Sequence, residues 1–134
     1  MTPDHQVTDL PQGEVRCYCD LHRKCSSLKA MTGEKKGRVV AKPKQIVLKG
    51  VRFEVSAAGL RRTREEGVRN VHAYARGYVK DQDVDAVRNH PDAVAIRYNP
   101  HLFDTFVRAD TLAPIHTAEL IAIDGKKSWG VGVA

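Results

Sequence analysis

Within the ten residues from Arg16 to Cys25, RCYCDLHRKC, stand all three cysteines of the chain and one of its six histidines. Cys17, Cys19, His22 and Cys25 form the pattern C-x-C-x2-H-x2-C. Three thiolates and an imidazole suit a tetrahedral zinc, and a site closed within so short a span would organise an otherwise irregular segment. The spacing argues the other way, because zinc-binding cysteine pairs usually stand as C-x2-C, whereas C-x-C points both thiolates to one side of an extended chain. His22 and Cys25, at i and i+3, share a face only if that stretch is helical. Structural cysteines packed as small apolar residues are the leading reading, zinc the second and a disulfide the third, since an odd cysteine count in a cytosolic chain disfavours pairing. Zinc is the one cofactor this pattern suggests.

A second set lies in NVHAYARGYV, Asn70 to Val79, where the apolar period is two. One face carries Val71, Ala73, Ala75, Gly77 and Val79; the other carries Asn70, His72, Tyr74, Arg76 and Tyr78. Side chains on one face of a strand recur about every 6.5 to 7 Å, so this face alternates cations with rings that can stack on bases. The competing reading has Tyr74 and Tyr78 capping the core with their hydroxyls at its edge.

Charge supplies a third set. The chain carries a formal +6, yet Arg23 to Lys49 holds nine Lys/Arg against Glu34 alone, so the remainder is close to neutral. Lys35, Lys36, Arg38, Lys42 and Lys44 would meet phosphates, and Arg61, Arg62 and Arg64 would extend the track. A solvated charge run without a partner is the bland alternative.

Catalytic chemistry has weaker support. His72, His116 and a carboxylate from Asp104, Asp110 or Glu119 make an acid-base or metal set only if folding gathers them. There is no glycine-rich phosphate loop, nucleophile elbow or paired-histidine helix motif. Asp81, Asp83 and Asp85 stand at positions 1, 3 and 5 of a calcium loop, but Ala86 replaces the turn glycine and Asp92 the closing glutamate, so a solvated loop is expected.

These residues need elements to hold them. At 134 residues the chain has room for one domain with a tail. Residues 1–15 mix Pro, Gly and Asp without period and read as a disordered lead. Ser26 to Lys44 reads as loop or arm with room for a short ribbon, being polar, basic and broken by Gly33, Gly37 and Pro43. Strand character begins at Gln45 to Val55, where Gly50 suggests a bend or bulge. Ser56 is a helix N-cap, with Val55 and Leu60 placed as a hydrophobic staple and Gly67 as the stop, and Leu60 is the helix's one large apolar contact. Further strands are expected at 93–98, 105–109, 117–123 and 128–133, with Asn99-Pro100 turning the chain and Asp124-Gly125 closing a hairpin.

The fold class expected is mainly β within α+β: a small antiparallel β-barrel or sandwich of five or six strands, one short helix and a basic N-terminal arm. The division expected is an arm over 1–44, holding the Cys/His cluster, and a body over 45–134. No apolar run reaches the length of a membrane span, and the N-terminus lacks the basic-then-apolar order of a secretory signal, so a cytoplasmic, membrane-free protein is expected.

The run Ile96 to Ala118, IRYNPHLFDTFVRADTLAPIHTA, resembles the last barrel strands in the C-terminal domain of Mu-type transposases, where an Arg-Tyr-Asp-Pro turn joins two strands. Asn99 stands where that family more often has Asp, and the transposase catalytic domain has no counterpart in this chain. RNVHAYARG followed by RYNPHLFDTF is similar to small uncharacterised proteins of bacteriophages and prophages. The resemblance implies an origin in a mobile element and carries no catalytic residues with it.

The preferred expectation is thus a non-catalytic nucleic-acid-binding protein of phage type, working on DNA or RNA in the host cytoplasm. A phage inhibitor of a host defence or processing protein is the alternative, and a metal- or histidine-dependent enzyme ranks third.

Overall fold

The computed structural model describes residues 13–19, 26–66, 72–99, 102–125 and 127–134. Chain order there is β1 (Glu14–Cys19), β2 (Ser26–Ala30), β3 (Val39–Ala41), β4 (Gln45–Val55), α1 (Ala57–Glu66), β5 (Ala73–Asp81), α2 (Val84–Arg88), β6 (Val94–Arg97), β7 (Val107–Arg108), β8 (Thr117–Asp124) and β9 (Lys127–Val131). The strands form one nine-stranded antiparallel sheet in the order β3-β2-β1-β5-β4-β8-β9-β6-β7.

The mainly β, antiparallel expectation holds, and its details change. β3 and β7 are the two edges of the order, so the sheet is open rather than closed into a barrel. It is nonetheless strongly curled. Ala41 and Gln45 are four residues apart, a reach of at most about 15 Å, whereas β3 and β4 lie four strand spacings apart, about 19 Å in a flat sheet. The other end curls too: the Tyr98 hydroxyl, just beyond β6, accepts hydrogen bonds from the N–H groups of His72 and Ala73 at the start of β5. Phe106, beside β7, meets the Phe53 ring of β4 with centroids 4.9 Å apart.

Curling gives the sheet one main core on its inner face, built from Val15, Cys17, Leu28, Ile46, Leu48, Val51, Ala73, Ala75, Ile96, Phe106, Ile115, Ile121 and Ile123. On the outer face α2 covers a smaller apolar patch, where Val84 and Val87 pack on Val47, Ala122 and Val131. α2 forms because Asp83 caps it, accepting from the Ala86 N–H, and because Val84 and Val87 at i and i+3 present one apolar stripe. The triple-aspartate segment is therefore the entry to a helix. Asp81 accepts from the Asp83 N–H and pairs with Lys80, while Asp85 pairs with Arg88.

Three strands come from residues expected to form the lead and arm. β1 pairs with both β2 and β5, so the division at residue 44 runs through the sheet rather than beside it. The alternation of Val15 and Cys17 with Arg16 and Tyr18 explains why: a strand with one apolar face is stabilised wherever a sheet edge offers it a core. The short ribbon appears as β2 and β3, joined by a turn with Gly33 and Gly37 at positive φ.

Candidate nucleic-acid interface

β4 determines which residues share the outer face. Ile46 and Leu48 point inward, and strict alternation would then send Arg52 and Glu54 inward as well. A bulge against β5 between Lys49 and Arg52, with Gly50 at φ 58°, inserts one residue and resets the phase. Val51 and Phe53 then face the core, and Arg52 and Glu54 face out. The bulge fits because its partner is Gly77: a Cβ there would come within 2.8 Å of the Lys49 carbonyl oxygen.

The register lines up four cations. Lys29 of β2 stands opposite Arg16 of β1, Arg16 opposite Arg76 of β5, and Arg76 opposite Arg52 of β4. Like charges directly opposed across strands are unfavourable, so this row needs compensation. Glu14 supplies part of it, 2.6 Å from Arg76 Nε and 3.9 Å from Arg52 Nη2. Glu54 lies 3.6 Å from Arg76 Nη1. Arg16 is held instead by Tyr74, its guanidinium carbon 4.5 Å from the ring centroid. Arg16 Nε and Glu54 Oε1 are buried without a hydrogen-bond partner among the described residues.

Tyrosines flank the row on both sides. Tyr78 stands opposite Glu14 and Lys49 and is 45% exposed. Tyr74 stands opposite Glu54, lies 5.2 Å from the Tyr18 ring and is only 8% exposed. Burial pushes the pKa of the Tyr74 hydroxyl above its ordinary value, so it gives up its proton less readily, with the Arg16 cation working in the opposite direction.

The residues anticipated as a binding set thus separate. Tyr74, Arg76 and Tyr78 do share an outward face, but Tyr74 is sealed under Arg16 and Tyr18, and Arg76 is engaged by Glu14 and Glu54. Neither reading of the tyrosines suffices, since Tyr74 is buried on the outer side and Tyr78 is open. His72 does not belong to this face at all. It is 1% exposed, with Nε2 3.1 Å from the Phe103 carbonyl oxygen, Nδ1 3.4 Å from Thr63 Oγ1, and its ring edge-on to Tyr98. It ties α1 to the segment after β6. In the catalytic alternative, Asp104 pairs with Arg64 and Asp110 with Arg108, which places both carboxylates in ion pairs, and His116 is exposed.

Lys35, Lys36 and Arg38 are exposed on the β2–β3 turn. The Met31 N–H donates to the Glu14 carbonyl, which sets this turn on the Glu14 and Tyr78 side of the row. Lys42 and Lys44 are exposed on the link to β4. Arg61, Arg62 and Arg64 are exposed on α1, which follows β4 on the opposite, Glu54 side. Ser56 caps this helix as expected, accepting from the Gly59 N–H, but its buried stripe is Gly59 and Thr63, with Leu60 only half-buried. The expected stop at Gly67 lies outside the described residues.

Of the Cys/His cluster, Cys17 is 1% exposed on the inner face between Leu28 and Ala75, as a small core residue. His22, Cys25 and the side chain of Cys19 lie outside the described residues. Among the described residues no group of three or more His, Cys, Asp or Glu is placed to hold a metal, and no helix is long and apolar enough to cross a membrane.

Lys29, Arg16 and Arg52 were missed as site residues. The signal for β1 was the alternation in EVRCYC; nothing in the sequence announced the register that lines the cations up.

A family profile described as the Mycobacterium phage L5 gene 82 protein matches residues 9–131. The gene 82 protein of Mycobacterium phage L5 is 32% identical over 113 residues, covering 80% of this chain and 86% of that relative. No solved structure matches. The similarity of Ile96–Ala118 to Mu-type transposases rests on those residues alone.

Proposed function

Because the chain belongs to the family of the Mycobacterium phage L5 gene 82 protein, a small phage protein family, we propose that it serves a phage as a non-catalytic nucleic-acid-binding protein. The observation that carries the reading is the row Lys29, Arg16, Arg76 and Arg52, four cations in direct cross-strand register on the part of the outer face that α2 leaves open. With Lys49 the patch holds five cations against the carboxylates of Glu14 and Glu54. A polyanion offsets the mutual repulsion that two carboxylates leave over. The basic turn on one side of the row and the α1 arginines on the other extend the positive field.

Binding of this kind is mainly electrostatic and modest in sequence preference. The test is fluorescence anisotropy of purified, nuclease-treated protein with labelled DNA and RNA at two salt concentrations. Affinity that falls steeply with salt, and falls further when Arg52 and Lys29 are replaced by alanine, supports the reading. Affinity unchanged between low and moderate salt, or no binding at all, refutes it. A stable complex with a host protein, recovered after nuclease treatment, would move the target to an acidic protein surface.

A further inference from the structure

We infer that the outer-face row is a track for a single strand, and that Glu14 occupies it as a built-in stand-in for a phosphate that the ligand must displace. This rests on the nucleic-acid reading and adds to it a ligand class and a gate.

The position of Glu14 is the first ground. Its carboxylate sits between two guanidiniums of the row, 2.6 Å from Arg76 and 3.9 Å from Arg52, and is 16% exposed. An oxyanion held by two arginines is the arrangement in which arginine pairs receive phosphate. An incoming phosphate finds the centre of the row already neutralised and gains Arg52, and the part of Arg76 that Glu54 leaves open, only as Glu14 gives way. Lys29, which has no part in these ion pairs, and the exposed side of Arg52 offer the first contacts.

The width of the track is the second ground. The cations stand one residue deep on each strand, with Glu14 on one side of the row and Glu54 on the other. A duplex presents two phosphate chains and would set one of them over a carboxylate, whereas one chain can follow the row between them. Tyr78 is the third ground. It stands beside Glu14 with 45% of its surface open, and its ring offers a stacking surface that only an unpaired base can use.

The experiment compares the full chain with Glu14→Gln and Tyr78→Ala, using labelled oligo-dT and oligo-U of 12 nucleotides (roughly one OB-fold footprint) and a duplex of equal length. Glu14→Gln should tighten single-strand binding about tenfold, the effect of freeing one charged contact. Tyr78→Ala should weaken it by about fivefold or more, the lower end for one stacked base. The duplex should bind more weakly than either single strand. If the unaltered protein binds but Glu14→Gln binds no tighter, the gate is wrong and the nucleic-acid reading stands. If the duplex binds as well as the single strands, the ligand class is wrong. If neither the unaltered protein nor Glu14→Gln binds any probe, both readings fall together. Should Glu14→Gln fail to fold, the Arg76 Nε–H signal of the unaltered, 15N-labelled protein decides: it should shift on saturation with oligo-dT, and an unmoved signal overturns the exchange.

Discussion

The guanidinium of Arg16 lies over the ring of Tyr74, 4.5 Å from its centroid, across two neighbouring strands. A strand that the sequence presents as part of a cysteine cluster thereby covers the tyrosine that the sequence presents as a stacking platform. The contact joins the outer side of β1 to that of β5, and its consequences begin with pH.

Burial raises the Tyr74 hydroxyl above its usual value, so the folded protein holds that proton more tightly than the unfolded chain. The contribution to stability is complete below about pH 10 and is lost as pH rises through the folded value. Tyr74→Phe removes the hydroxyl that hydrogen-bonds with the Glu54 carboxylate and should cost about 1 kcal/mol at neutral pH. The gap between the two proteins should close above about pH 10, where the tyrosine must ionise. Urea unfolding of both from pH 7 upward would show it; a gap independent of pH would refute the assignment.

Tyr98 accepts two backbone hydrogen bonds, from His72 at 3.0 Å and from Ala73 at 3.1 Å. Tyr98→Phe keeps the ring beside Phe106 and leaves both N–H groups without that acceptor. The expected loss is about 1–3 kcal/mol. Hydrogen exchange at the His72 and Ala73 amides should accelerate, and unchanged protection would contradict the contact.

Gly77 makes room for the β4 bulge. Gly77→Ala places a methyl 2.8 Å from the Lys49 carbonyl oxygen and 3.2 Å from that of Gly50, both backbone atoms. The expected cost is about 1–3 kcal/mol by analogy with overpacking. Because the bulge sets the Arg52–Arg76 register, the variant should also weaken nucleic-acid binding while folded, as anisotropy at low temperature would record.

Cys17 is a core residue. Cys17→Ala should lose about 1 kcal/mol through the cavity it leaves. Denaturant unfolding checks it: an alanine variant as stable as the unaltered chain would remove Cys17 from the core packing.

Arg52 has the more open side chain of the two guanidiniums that Glu14 touches, 59% exposed. Arg52→Ala should leave stability within about 0.5 kcal/mol. The slope of log affinity against log salt should fall by about one. An unaltered slope would remove Arg52 from the contact.

Most strands of the body were legible because their signals are local. QIVLKGVRFEV carries its β-branched residues and its glycine bend at the positions where β4 and its bulge stand. Ser56 before α1 and Asp124-Gly125 before β9 are short-range signals that tertiary packing left in place. α2 was obscured by its aspartates, which suggested a cation loop although Asp83 is an N-cap. β1 was obscured by its cysteines, which drew attention to ligand chemistry and away from the alternation of EVRCYC.

By itself the sequence determined the antiparallel β character, the helix after β4, the two faces of β5 from Ala73 to Val79 and the excess of positive charge before residue 50. Each follows from periodicity or composition within a few neighbouring residues. Only the tertiary structure decided that β1 joins β5, that His72 turns away from Tyr74 and Tyr78, and that Lys29, Arg16, Arg76 and Arg52 share one row. Those facts depend on register between strands whose paired residues lie as much as 64 residues apart in sequence, and a one-residue slip or bulge in any of them would send the same side chains to the other face.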